Sequence, residues 1–170
     1  MKSHLFILLV TVGLCSATSP ANIDLQSATD YECIQKAYAE QILGQSATRV
    51  ENTSTKEAGV VQYKCTYTCL GNDPATNKTG NLYYMYEEYN STSLAKQTYD
   101  NIVASNQQMS GHSKLNDIGD DAWFHTDQEN FYLIIFRKQN KMVRIKINKV
   151  TSLTSKEALL RISNSIALTM

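Results

Sequence analysis

The sequence predicts an α+β fold, an antiparallel sheet sandwiched by three helices in the order α-β-β-β-α-β-β-β-α, and three observations carry that expectation. Two stretches alternate with period two. Val61, Tyr63, Cys65, Tyr67 and Cys69 share one face against Gln62, Lys64, Thr66 and Thr68, and Val143, Ile145 and Ile147 oppose Arg144, Lys146 and Asn148. Three other stretches space their apolar residues as helices do. Short turns separate the strands, which argues for antiparallel pairing, and helices with one apolar stripe must lay it on the sheet.

Taken in order, Thr29-Asp30-Tyr31-Glu32 reads as a capping box, because a threonine hydroxyl can take free backbone N–H groups while Glu32 reaches back. Tyr31, Ile34, Tyr38, Ile42 and Leu43 then follow at helical spacing, and Gly44 supplies a left-handed stop, so a helix is predicted over 30–43. Residues 47–52 suggest a short strand, 61–69 a clear one, and Gly71-Asn72-Asp73-Pro74 a break. Asn81 to Tyr89 reads as the next strand. A second helix runs from Ser91 to about Gln108. Residues 121–125 and 131–138 read as strands around a turn at Asp127–Asn130, and Gln139-Asn140-Lys141 turns the chain into the alternating strand 142–150, whose polar side predicts one wet sheet face. Thr154 with Glu157 forms another capping box, opening a helix with Leu159, Ile162, Ile166 and Met170.

With 170 residues, 42% hydrophobic and 19% charged, the chain suits one folded domain rather than a disordered one. Residues 1–17 read as a signal peptide: Lys2 and His4 precede the apolar run Leu5–Leu14, and Cys15-Ser16-Ala17 offers small residues before a cut. The run is too short to span a bilayer. Cleavage after Ala17 is one outcome; lipidation of Cys15 is the other, with Leu14 bulkier than such a site usually carries. Residues 18–28 then form a flexible tail and residues 29–170 the single α+β domain. Removing residues 1–17 takes Lys2 with it and leaves a formal charge of −1, 15 basic against 16 acidic side chains. That gives no drive towards nucleic acid. Basic residues crowd from Arg137 to Arg161, as on the solvated face of a hairpin or, alternatively, at an anion or lipid-headgroup site.

Cys65 and Cys69 lie four apart on one strand, about 13 Å at about 3.3 Å per residue, too far for a mutual disulfide or one metal ion. No C-x-x-C pair is present. The simplest arrangement bridges Cys33 to one of them, leaving the other as a free thiol, in keeping with an oxidising compartment.

Chemistry is sparse. His125 stands near Asp120, Asp121 and Asp127, a set that suits a general base or metal ligand, yet these aspartates flank a turn, where Gly-Asp-Asp has an ordinary conformational role. No nucleophile motif or phosphate-binding glycine loop is present, and no cofactor or metal is expected. Tyr83, Tyr84, Tyr86 and Tyr89 crowd one strand, with Tyr63 and Tyr67 in the strand before it. Cross-strand packing accounts for them; the alternative is an aromatic cleft in which Tyr63, Tyr67, Tyr84, Tyr86 and Trp123 face a ligand. Asn52, Asn77 and Asn90 each open an Asn-x-Ser/Thr triplet, a glycan acceptor in a eukaryotic secretory pathway.

A wider pattern joins these residues. Cys33 opens a helix ending Ile42-Leu43-Gly44, before a strand reading Cys65-Thr66-Tyr67. Ile118-Gly119-Asp120-Asp121-Ala122-Trp123 follows, then Phe136-Arg137-Lys138, a turn, Val143-Arg144-Ile145 and a terminal helix. Over about residues 30–168 this resembles a group of small exported bacterial domains, among them actinobacterial lipoproteins of unknown function and the extracellular sensor domain of a mycobacterial serine/threonine kinase, which share an α/β sandwich related to the PsbP-like fold. The resemblance implies a Cys33–Cys65 bridge, with Cys69 as the free thiol. It also implies binding rather than catalysis, with no catalytic residue to carry over, and a bacterial source in which the Asn-x-Ser/Thr triplets carry no meaning.

The expected protein is therefore an extracytoplasmic ligand-binding or interaction domain, secreted, periplasmic or lipid-anchored. Its partner would be a small molecule, a glycan or an envelope protein, with no nucleic acid and no membrane contact beyond a lipid anchor. The alternatives are a hydrolase using His125 and its neighbouring aspartates, and a purely structural envelope component.

Overall fold

The structure, a computed structural model, describes residues 33–170. The leader, the tail, Cys15 and the Thr29–Glu32 box lie outside the described residues. The element order is α1 (Lys36–Leu43), β1 (Ala47–Glu57), β2 (Val60–Cys69), β3 (Asn81–Tyr89), α2 (Thr92–Asn106), β4 (His112–Leu115), β5 (Asp121–Thr126), β6 (Phe131–Lys138), β7 (Lys141–Asn148) and α3 (Lys156–Thr169). The strands form one seven-stranded sheet in the order β1-β2-β3-β7-β6-β5-β4, antiparallel throughout. The α+β class and three helices stand as expected. The strand count does not: six were expected, and β4 is the seventh. Its four residues, His-Ser-Lys-Leu, are mostly exposed and too few to show a period, so pairing to the edge of β5 makes the strand.

Two-residue turns close the tight hairpins. Ala58 and Gly59 both take positive φ between β1 and β2, the geometry that follows the right-handed strand twist. The Gly59 Cα packs against the Asn90 side chain, where a Cβ would clash. β1 is longer than its predicted span and carries a bulge between Arg49 and Glu51.

Helix starts differ from the sequence reading in two places. Cys33, Ile34 and Gln35 are not helical, so α1 begins at Lys36 rather than near residue 30. Two long-range contacts hold those residues extended. Cys33 is bridged to Cys65, with Cα atoms 5.7 Å apart, and the Tyr67 hydroxyl donates to the Ile34 carbonyl at 2.9 Å. At α3 the cap is Ser155, whose hydroxyl accepts from the Ala158 N–H at 3.0 Å; Thr154 instead accepts from the Thr151 N–H and belongs to the preceding loop. Gly44 does end α1 in the left-handed conformation, at φ +72°, and a Cβ there would run into the Leu153 carbonyl.

The two sheet faces are covered unequally. On one, α1 and α3 close over a continuous core with Ile42, Leu43, Leu82, Tyr84, Phe136 and Ile145 among its members. On the other, α2 covers a smaller cluster of Tyr89, Ala95, Tyr99, Trp123, Ile135 and Met142. The face expected to be wet is thus capped at one end and open at the other. Loops at the open end are tied together by Asp73. Its carboxylate accepts from the Thr76 hydroxyl and the Ala75 N–H, and, 79 residues away, from the Ser152 N–H and hydroxyl. Those hydrogen bonds hold the carboxyl well below its ordinary range.

Candidate binding surface on the open half of the sheet

Strand register builds the surface. One row runs across the sheet through Glu51, Thr66, Tyr83, Lys146, Leu133, His125 and His112. The next row towards α2 runs through Lys64, Met85, Arg144, Ile135, Trp123 and Lys114. Strands spaced about 4.8 Å apart make the six steps of the first row about 29 Å long. Period-two alternation puts all these side chains on α2's side of the sheet; Ile135 and Trp123 of the second row belong to the cluster under α2, and of the first row Leu133 packs against it.

The row is a mixture of rings and cations. Tyr83 is 41% exposed, and Lys146, its cross-strand neighbour, is exposed. The Lys146 ammonium lies 5.7 Å from the centre of the Phe131 ring. Past it, the His125 ring meets Phe131 edge-on at 4.9 Å and Trp123 at 5.1 Å, and His112 stacks on Trp123 at 5.9 Å. His125 Nε2 lies 3.0 Å from the Ser110 carbonyl oxygen, which can only accept, so Nε2 carries a proton. Arg144 donates to the buried Glu87 carboxylate at 2.7 Å, and Gln62 donates to its other oxygen at 2.8 Å. Arg144 Nε is buried with no hydrogen-bond partner, so it faces the sheet rather than the open surface. Lys64, Lys114, Arg144 and Lys146 outnumber Glu51 on these two rows, with Glu87 one row further towards α2, so the two rows are locally positive on a chain of formal net charge +0.

The basic run from Arg137 to Arg161 is divided among several tasks. Arg137 is buried and holds Asp120 and Asp121, donating from Nε to Asp121 at 3.0 Å. Lys138 and Lys141 donate to the Ala167 and Met170 carbonyls at the end of α3, where a cation opposes the helix dipole. Arg161 reaches Gln41 on α1 at 2.9 Å. Arg144 and Lys146 are the members that stand on the open surface.

The structure separates several residues that the sequence placed near one another. Asp120 and Asp121 are bound to Arg137 at the start of β5, about 13 Å of strand from His125. Asp127 accepts from the backbone of Asn130, Phe131 and Glu129 and from the Asn130 side chain, which holds its carboxyl well below the ordinary range. It is a turn residue. Among the described residues no group of three or more His, Cys, Asp or Glu could hold a metal ion.

Of the five aromatic residues weighed as ligand-facing, Tyr67, Tyr84 and Tyr86 are buried beneath α1 and α3, and Tyr63 is half-buried beside Tyr86, 6.1 Å between ring centres. Trp123 is buried on the opposite face. Cross-strand packing therefore accounts for the tyrosines of β2, and the exposed ring is Tyr83, which was not among the five. Its signal was available: alternation along Asn81–Tyr89 sets Tyr83 with Met85 and Glu87, opposite Leu82, Tyr84 and Tyr86. What the sequence lacked was the pairing of β3 with β7, which sets Tyr83 beside Lys146. Cys69 is a free, buried cysteine whose thiol pKa is pushed up by burial, the condition of an unreactive packing residue. Comparison of the chain with protein-family models, with curated proteins and with solved structures found no match.

Proposed function

We propose that this protein is an exported binding domain whose ligand surface is the open half of the sheet, and that it takes an acidic glycan. The observation that carries the reading is the exposed Tyr83–Lys146 pair, flanked by Lys64 and Arg144, on the part of the sheet that α2 leaves uncovered. A sugar presents an apolar ring face to a tyrosine, and its carboxylate or sulfate suits ammonium and guanidinium donors. A long sheet surface suits an extended polymer better than a small molecule, which needs a concavity to bury it. Export is supported by the leader-like residues 1–17 and by the Cys33–Cys65 bridge, since disulfides persist in oxidising compartments. Among the described residues, no helix is long and apolar enough to cross a membrane. The relation to the PsbP-like sandwich belongs to the same proposal as a relation of fold alone, without the bacterial source, and rests on the residue pattern, to which the bridge adds support.

Titration of the protein with a sulfated oligosaccharide, followed by amide chemical shifts, is expected to move resonances of residues 64–66, 83–85 and 144–146. The unsulfated oligosaccharide should bind at least ~10-fold more weakly, since each charged hydrogen bond lost costs about 1.5–3 kcal/mol. Lys146→Glu with Tyr83→Ala should abolish binding with a change in stability within about 1 kcal/mol, both side chains being exposed. Equal affinity for both oligosaccharides, or shifts confined to α2 or to the α1–α3 side, would refute the reading.

A further inference from the structure

We infer that Asn52 and Asn77 carry N-linked glycans in the mature protein. Both open an Asn-x-Ser/Thr triplet, Asn52-Thr53-Ser54 and Asn77-Lys78-Thr79, and neither middle residue is proline, which would block the acceptor. Transfer joins the asparagine Nδ2 to the anomeric carbon of an oligosaccharide carried on a lipid diphosphate. The bond from that carbon to the diphosphate oxygen breaks, Nδ2 loses a proton, and the lipid diphosphate leaves. The triplet hydroxyl at the third position is what the acceptor chemistry needs. The folded protein must then house the product in solvent.

The structure meets that requirement at two of the three triplets and distinguishes the third. Asn52 is exposed on β1, the outermost strand, and pairs with Cys65, so it projects on the α1–α3 side of the sheet and away from the Tyr83–Lys146 row. Asn77 is exposed in the β2–β3 loop at φ +53°, a left-handed conformation that asparagine tolerates. Its Oδ1 accepts from Asn72 Nδ2 at 3.1 Å. At Asn90, by contrast, the side-chain nitrogen packs against Gly59 in the β1–β2 turn, the atom to which a sugar would be joined. Asn90 is therefore left out of the inference. A glycan on Asn52 would also serve the fold. β1 spans 11 residues, exposed from Thr48 onwards, and among the described residues its outer edge has no partner strand, the condition in which a sheet adds a strand from another molecule. A bulky, hydrated oligosaccharide on that strand would obstruct such pairing without covering the open face. The Cys33–Cys65 bridge points independently to the compartment in which the transfer takes place.

The test is peptide mapping of the full-length chain recovered from the cells that naturally produce it, before and after treatment with an N-glycosidase that converts the acceptor asparagine to aspartate. The expected result is a loss of mass on treatment, with aspartate at positions 52 and 77. Ser54→Ala and Thr79→Ala, which leave both asparagines in place, should each remove one glycan from the untreated protein. Unmodified asparagine at either position in the native material overturns the inference, as does a mass unchanged by the Ser54→Ala or Thr79→Ala substitution. Neither result bears on sulfated oligosaccharide binding, which is read separately at residues 64–66, 83–85 and 144–146.

Discussion

The two faces of the sheet are made from the same strands, yet one is a finished core and the other is half a core. Under α1 and α3, the inward residues of β3, β6 and β7 are apolar until the row of Glu88, Lys138 and Lys141: Leu82, Tyr84 and Tyr86, then Ile134 and Phe136, then Val143, Ile145 and Ile147. Across the pleat the same strands carry Tyr83, Met85 and Glu87, then Leu133, Ile135 and Arg137, then Met142, Arg144 and Lys146, apolar mainly where α2 rests. Period two lets one strand serve both purposes, because successive side chains point to opposite faces. The closed face holds the molecule together, and the open one is free to meet something else.

Substitutions on the two faces should expose that difference. The largest effect is expected from Phe136→Ala, which empties a fully buried site beneath α3 and should cost about 4 kcal/mol in denaturant unfolding. Leu133→Ala, three residues away on the open face and half-buried, should cost about 1 kcal/mol. Similar losses at the two sites would erase the distinction between the faces.

Next in size, replacing Cys33 and Cys65 together by serine removes a bridge with a sequence separation of 32 and should cost about 3–4 kcal/mol in the chain-entropy picture. Because the bridge pins residues 33–35 to β2, hydrogen exchange should quicken first in α1 and leave α2 as protected as before. Loss of protection in α2 at the same rate would show that the two faces unfold as one unit.

The smallest effect separates the faces by pH. Burial under α2, with Glu87 near the first and Asp121 near the second, pushes Tyr89 and Tyr99 up to about 12 from an ordinary 10.0. The unfolded chain would ionise these phenols earlier than the folded one. Their contribution to stability is therefore complete below about pH 10 and fades as pH rises towards 12. Amide protection of α2 should fall over that interval, and Tyr89→Phe with Tyr99→Phe should flatten the fall. An unchanged slope in the double variant would place the alkaline sensitivity elsewhere.

Much of the framework was legible in the chain. Alternation along 61–69 and 142–150 depends on the pleat alone, so it survives in one dimension, as do the Gly44 stop and the Gln139-Asn140 turn. The capping residues were less legible. Thr154–Glu157 matches the capping pattern, yet Thr154 is used by its own loop, and the helix expected from residue 30 begins at Lys36 because a disulfide and a tyrosine hydroxyl hold residues 33–35 extended. Those competing bonds come from residues 32 or more positions away or from loop geometry, which a local pattern does not record. The candidate site was read least well. Five aromatic side chains were weighed as one surface, whereas four lie on the packed side of the sheet and Trp123 lies on the other.

By itself the sequence determined six of the seven strands and the three helices, the alternating sides of those strands, and the need for an oxidised bridge at Cys33, because hydrophobic period and side-chain chemistry are properties of short stretches. Which cysteine completes that bridge, which strands become neighbours, and how far α2 extends over the second face were decided by the tertiary structure. Pairing of β3 with β7 joins residues about sixty positions apart, and a contact of that range is selected by packing the whole sheet at once rather than by any segment of it.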